Sequence, residues 1–272
     1  AKAGRHQYAR VAQYQAKRAE RPEGLDIRVE ELRQFMGTLK TPTLQGCEQY
    51  EVEADDAICT AMYAGHKADE PHLHAMWSLD KDLYMVGGLH LTQDWELVAY
   101  PWGFGSCELK EVGTSKKVVG CGTSFFWHQM LMGDGADNIP GLPKLGRDSV
   151  LKYLPHPAYL TKAYSRVANT NAQKAAKRKA IATAEAKIKS KACGPVATYE
   201  VLKRAKSDKQ AFQIVKECYL DWYGPLVSFE AWDGQQEDVT VGDMIIEQAR
   251  LLWLQRTPGE DVITFFREIA NG

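Results

Sequence analysis

A chain of 272 residues, 44% hydrophobic and 25% charged, can bury one large core or two modest ones. Its 34 lysines and arginines against 35 aspartates and glutamates leave a net charge of −1, so affinity for a polyanion must come from local segregation of charge. No apolar run approaches a membrane span and no signal-peptide pattern opens the chain. The six scattered cysteines (47, 59, 107, 121, 193 and 218) include no C-x-x-C pair. These features point to a reduced, soluble, cytoplasmic protein without a disulfide or zinc framework.

Residues 1–22 carry Lys2, Arg5, Arg10, Lys17, Arg18 and Arg21 among Tyr8 and Tyr14, opposed only by Glu20. A basic segment with interleaved aromatics suits a nucleic-acid backbone, and equally suits a solvated arm. Pro22 and Gly24 end it. Residues 25–36 then read as an amphipathic helix with Ile27, Val29, Leu32, Phe35 and Met36 on one face. Farther on, Glu51, Glu53, Asp55 and Asp56 precede Ala57, Ile58, Ala61 and Met62. Acids at the first turn of a buried helix complement its dipole; grouped with further carboxylates they can also hold a cation. Residues 73–77 form a strand-like run, with Asp80 and Asp82 just past its end, where open α/β sheets place their sites. Residues 89–122 read as irregular β structure with strands at 97–100 and 117–119.

The most informative stretch is residues 133–146. Asp134 and Asp137 lie three residues apart after an apolar segment containing Phe125, Phe126, Trp127, Met130, Leu131 and Met132. If that segment stays helical, both carboxylates share a face. Pro140, Gly141, Pro143 and Gly146 then make a hairpin turn. A glycine-rich turn opening the next helix presents backbone N–H groups to a phosphate. Residues 162–191 hold nine Lys/Arg against the single Glu185, a basic helix or helix pair that either contacts DNA or forms a solvated excursion. The remainder reads as helices at 196–203, 209–222 and 239–254. No zinc spacing occurs among the histidines, and neither G-x-S-x-G nor a P-loop is present. The acids carry the chemistry.

Taken in order, Tyr14-Gln-Ala-Lys-Arg18, Glu53-Ala-Asp-Asp56, Ser78-Leu-Asp-Lys-Asp82 and Gly133-Asp-Gly-Ala-Asp-Asn-Ile-Pro-Gly141 resemble the 5′→3′ exonuclease and flap endonuclease family. That family includes bacteriophage exonucleases and the 5′-nuclease domains of bacterial DNA polymerase I, and the resemblance spans roughly residues 5–155. It implies an α/β fold with a central, mostly parallel sheet, a helical arch, a helix-hairpin-helix that grips duplex DNA and a helical C-terminal region. Residues 1–125 would form the metal-nuclease core and 126–272 the helix-hairpin-helix and C-terminal part. The implied activity is cleavage of DNA phosphodiesters near 5′ ends or at 5′ flaps, by a monomer acting in the cytoplasm (the host's, for a phage protein). Two Mg²⁺ or Mn²⁺ ions would be required, hard cations suited to carboxylate oxygens, with room for K⁺ at the hairpin.

Carried over residue by residue, Glu53, Asp55, Asp56 and Asp80 belong to the first metal, and Asp82, Asp134 and Asp137 to the second. Arg18 matches an arginine that contacts the scissile phosphate, with Lys17 beside it. Arg5, Tyr14, Gly141, Lys144 and Gly146 fall where DNA is held. Three departures stand out: Gln15 occupies the family's lysine position, Lys144 replaces a hairpin glycine, and the family's first aspartate-bearing strands have no counterpart. The last implies a chain lacking about 60–70 N-terminal residues, scaled to domain size. Three other readings fit the same acids: a non-catalytic DNA-binding module of this fold, a PIN-like ribonuclease, which usually lacks the hairpin, and a structural protein whose acids are plain helix caps.

Overall fold

A strongly apolar segment becomes a helix at the centre of the core. In the computed structural model, which describes residues 4–17, 22–40, 52–70, 74–142 and 193–271, helix α3 (Thr123–Met132) is buried along its length from Ser124 to Leu131. A helix apolar on every side belongs inside a domain. Glycines bracket it because the chain turns tightly at both ends. Gly122 and Gly133 take φ of 67° and 70°, and a Cβ on Gly133 would stand 2.2 Å from the Ile139 carbonyl oxygen. Only glycine takes that conformation without strain.

Before it in the chain come α1 (Leu25–Thr38), α2 (Ala54–Lys67) and strands β1 (Ala75–Trp77), β2 (Gly88–Leu91), β3 (Leu97–Tyr100), β4 (Ser106–Val112) and β5 (Ser115–Cys121). Short 3₁₀ turns occupy Gly4–Gln7 and Lys81–Met85. After α3 follow α4 (Pro195–Leu202), α5 (Asp208–Tyr223), β6 (Leu226–Glu230), β7 (Gln236–Thr240), α6 (Val241–Leu252) and α7 (Val262–Asn271). The starts are written in the sequence. Pro195 occupies the first turn of α4, Ser207 Oγ caps α5, and Thr240 with Asp243 forms a reciprocal capping box on α6.

The architecture is α/β, but the sheet differs from expectation among the described residues. In place of a large, mostly parallel sheet there is a three-stranded one, ordered β1-β2-β3, with β1 parallel and β3 antiparallel to β2. A tight turn, in which Thr92 N–H donates to Glu96 O and Trp95 N–H to Thr92 O, folds β3 straight back on β2, and so short a link permits only antiparallel pairing. Two further hairpins, β4–β5 and β6–β7, stand apart from it. The helix expected over 239–254 begins only at Val241. Val239 is a buried strand residue opposite Val227, and Thr240 is the cap.

Most of the core gathers on α3. Phe126, Trp127, Met130 and Leu131 pack with Val215, Tyr219 and Tyr223 of α5, Met244 and Ile245 of α6, and Phe265 of α7. Polar tips are tied off within it: Tyr219 Oη donates to Met130 O at 2.7 Å and Trp127 Nε1 to Asp208 Oδ1 at 2.7 Å. Ala9, Val11 and Tyr14 join this cluster, so it draws on both sides of residue 125. A smaller cluster of Cys59, Met62, Met76, Leu83, Val86 and Leu254 fastens α2 to the sheet. Helix α1 forms where its periodicity placed it, yet none of its residues is buried, and Ile27, Leu32 and Phe35 stay more than half exposed.

Candidate metal and nucleic-acid site

Residues 4–17 of the N-terminal basic segment are not a solvated arm, since Ala9, Val11 and Tyr14 are buried in the core. Glu247, buried on α6, accepts hydrogen bonds from the backbone N–H of Arg10 (2.8 Å) and Val11 (2.9 Å) and from Arg10 Nε (3.0 Å). This clamp carries Arg5 into the protein. Its guanidinium lies 2.6 Å from Glu53, 3.4 Å from Asp55 and 2.7 Å from Asp56, and donates a further bond to Trp253 O at 2.8 Å. The acids are brought there by the start of α2, for which Glu53 is the N-cap residue and Asp55 and Asp56 supply the first turn. Asp56 also accepts from Gln255 N–H at 2.9 Å. Burial pushes Glu53 and Asp56 above the usual carboxylate range against the pull of Arg5. Burial alone would lower Arg5, but the charges of Asp56, Asp55 and Glu53 overrule it and raise it. Arg5 is thus an internal counter-ion, where the resemblance placed it at DNA.

A second carboxylate pair is held by a different cation. Lys81 Nζ stands 2.7 Å from Asp82 Oδ1 and 2.6 Å from Asp134 Oδ2. Gln129, on α3 and almost wholly buried, donates from Nε2 to Asp82 Oδ1 at 2.6 Å and more weakly to Asp134 at 3.5 Å, while its Oε1 has no hydrogen-bond partner. Burial drives Asp82 up despite Lys81. For Asp134 burial works in the same direction, yet Lys81 together with the N–H groups of Ala136 and Asp137 holds it below its usual value.

Asp134 and Asp137 do not continue α3, contrary to the helical reading. The helix stops at Gly133, and Asp134 instead pairs with Ile139 in a small antiparallel bridge, its Oδ1 accepting from Ala136 N–H at 2.8 Å. An aspartate bonding the backbone two residues on favours a turn over helix. The two carboxylates therefore face different partners: Asp134 meets Lys81, and Asp137 meets Tyr14. The Tyr14 hydroxyl, buried, lies 3.3 Å from Glu53 Oε2 and 3.4 Å from Asp137 Oδ2. Gln15 N–H donates to Asp137 O at 2.8 Å, and Asn138 Nδ2 to Gln13 O at 2.8 Å. Three motifs distant in sequence meet around this tyrosine, and the fourth, at Asp82, reaches the same turn through Lys81 and Asp134.

The remaining expected residues lie around this centre. Asp80 is exposed and caps the 3₁₀ turn by accepting from Asp82 N–H at 3.0 Å. Gly141, expected to hold DNA, is buried, and its N–H is taken by Gln248 Oε1 at 3.0 Å; a Cβ there would sit 2.3 Å from Gly133 N. Lys17 is exposed. Arg18, Lys144, Gly146, the helix after the hairpin and the basic stretch 162–191 lie outside the described residues. Sequence reasoning passed over Lys81, Gln129, Glu247 and Gln248. Lys81 carried a signal, as the lone cation between two aspartates; the other three are set by tertiary contact alone.

The donor chemistry of the two seats differs. Asp82 and Asp134 turn one oxygen each toward a single small cation, which is the donor set a hard divalent ion accepts, and Gln129 adds a third polar group. At Arg5 the carboxylates are bound to a planar guanidinium with its own carbonyl acceptor, and they do not fit an ion as arranged. Among the described residues no group of three or more His, Cys, Asp or Glu side chains is disposed to hold a metal. No helix among them is long and apolar enough to cross a membrane.

No protein-family description matches the chain, and no solved structure matches it. Among curated proteins it is similar to DNA polymerase I of Pseudomonas aeruginosa, with 33% identity over 144 residues. That stretch is 53% of this chain and 14% of the polymerase, so the chain spans only a small part of that relative.

Proposed function

We propose that this chain carries a divalent-metal-dependent nuclease site that hydrolyses DNA phosphodiesters at 5′ ends or 5′ flaps. The observation that carries the reading is the convergence at Tyr14, whose hydroxyl reaches Glu53 and Asp137 from a segment itself bonded to the Asp137 turn. Motifs that serve only as local helix caps have no reason to meet. The similarity to a DNA polymerase I supports DNA as the substrate.

Asp82 and Asp134, with Gln129 beside them, would hold the cation. When bound, such an ion lowers the pKa of a coordinated water and stabilises the leaving oxygen. The chain's own groups do the rest. Tyr14 fixes Asp137 relative to Glu53, and Asp80 holds the 3₁₀ turn that aims Asp82. Lys17 and Arg18 would neutralise phosphoryl charge, and the hairpin around Lys144 and Gly146, the proposed K⁺ site, would hold duplex phosphates without reading sequence. A second ion at Glu53, Asp55, Asp56 and Asp80 belongs to the same proposal as an expectation of the resemblance. Arg5 engages Glu53, Asp55 and Asp56, and Asp80 caps the 3₁₀ turn, so as arranged these groups hold no ion. The protein would act as a monomer in the cytoplasm.

The test is cleavage of a 5′-labelled flap duplex in Mg²⁺ by the chain and by Asp134→Asn, Asp137→Ala and Asp80→Ala. The first two should lose activity by about 10–100-fold or more, with DNA binding that falls steeply with salt in every variant. The closed Arg5 seat favours one rival, a DNA-binding module without catalysis. Tight, salt-sensitive binding with no cleavage by the unmutated chain would establish that rival and overturn the nuclease reading.

A further inference from the structure

The Lys81 seat has a property the Arg5 seat lacks: its cation can leave. The ammonium sits between Asp82 and Asp134 on a side chain that is 52% exposed, whereas the Arg5 side chain is 10% exposed and bonded to the Trp253 carbonyl as well. A long aliphatic stem with one face in water can withdraw its charge without disturbing the core. The charge balance favours exchange. Two carboxylates and one ammonium leave a net negative charge, a divalent ion in the ammonium's place leaves none, and both cations together would make the seat positive. Asp82 and Asp134 alone cannot balance both cations, so each weakens the hold on the other.

Gln129 supplies an independent observation. It is buried on a rigid helix with its amide directed at the two carboxylates, and its Oε1 has no donor. A buried acceptor without a partner is an uncommon and unfavourable arrangement. While an ammonium fills the seat, the amide must present Nε2 to the carboxylate oxygens. Once both carboxylates face a divalent ion, the same side chain can turn over and offer Oε1 as an oxygen ligand, the kind Mg²⁺ and Mn²⁺ accept.

We propose that Lys81 is a resident cation that a divalent ion displaces, and that Gln129 completes the seat by turning its amide oxygen toward the incoming ion. The choice of ion rests on the nuclease reading. Lys81 then holds Asp82 and Asp134 in place before metal arrives, and sets a threshold of metal concentration for filling the seat.

The test reads binding, not cleavage: titration of Mn²⁺ alone into the full chain, followed by calorimetry and by the Mn²⁺ electron paramagnetic resonance signal. Asp134→Asn should abolish the seat and so locate it. Lys81→Met should tighten Mn²⁺ binding by about tenfold or more, since a competing charge at contact distance is gone, and Lys81→Gln should behave likewise. Gln129→Met should weaken binding by about tenfold, with Gln129→Glu restoring it. Unchanged or weaker binding in both Lys81 variants, each with an unaltered unfolding midpoint, overturns the exchange. Unchanged binding in Gln129→Met overturns its role as a ligand. If Mn²⁺ exchange behaves as expected while flap DNA stays uncut, the nuclease reading fails and this proposal stands.

Discussion

Arg5 and Lys81 perform the same formal task, one cation neutralising a group of acids, in two very different settings. Arg5 is enclosed: Glu53, Asp55 and Asp56 surround it, and a carbonyl at the end of α6 accepts a further hydrogen bond from it. Its planar fork matches several carboxylate oxygens at once. Lys81 is a point charge on a half-exposed stem, bonded to two oxygens and replaceable. Burial makes the first a structural element and leaves the second free to exchange.

The largest effect that would break this comparison is on stability. Arg5→Met leaves buried carboxylates without their cation and should cost about 3–5 kcal/mol in denaturant unfolding at neutral pH. A loss below about 1 kcal/mol, the range of exposed pairs, would put Arg5 in the same class as Lys81. Next in size, Lys81→Met should cost at most about 1 kcal/mol, and saturating Mn²⁺ should raise its unfolding midpoint by more than that of the unmutated chain. A cost as large as that of Arg5→Met would show Lys81 to be structural.

The smallest effect uses a third ion pair of intermediate exposure, Arg250 with Asp261, 2.6 Å apart beside the Arg5 seat. Burial would raise Asp261, but the hydrogen bonds from Arg250 and from Ile263 N–H outweigh it and hold the carboxyl below its ordinary 3.8. A depressed carboxylate contributes stability above its unfolded value and loses it as pH falls through the folded one. Asp261→Asn should therefore lower the unfolding midpoint slightly at pH 6 and converge with the unmutated chain in stronger acid. A difference that persists into acid would mean that packing, not charge, separates the two.

How much of this was legible beforehand can be followed residue by residue. The helix at Thr123–Met132 was visible as a strongly apolar segment, and the first-turn acids of α2 as a charge cluster ahead of an apolar one. The Asp134–Asp137 pair was visible too, but its helical geometry was misjudged. Spacing alone does not reveal that Gly133 ends the helix against the Ile139 carbonyl, or that the Asp134 side chain bonds the chain two residues on. The helix assigned over 239–254 absorbed the end of β7, because Val239 and Thr240 suit a strand and a cap as well as they continue an apolar period.

The sequence by itself determined where the principal helices lie and that acidic residues gather in separate motifs; these follow from periodicity, capping residues and local charge. Only the tertiary structure decided which cation each acid meets. Arg5 reads as one more charge in a basic segment until Glu247 clamps the backbone at Arg10 and Val11 and carries it inward. Gln129 reads as one polar residue in an apolar helix until α3 is fixed against Asp82 and Asp134. Local preferences act over a few residues, whereas the pairing of a buried charge is settled by burial and by groups 48 and 53 positions away in the chain, as between Arg5 and Glu53 and between Lys81 and Asp134.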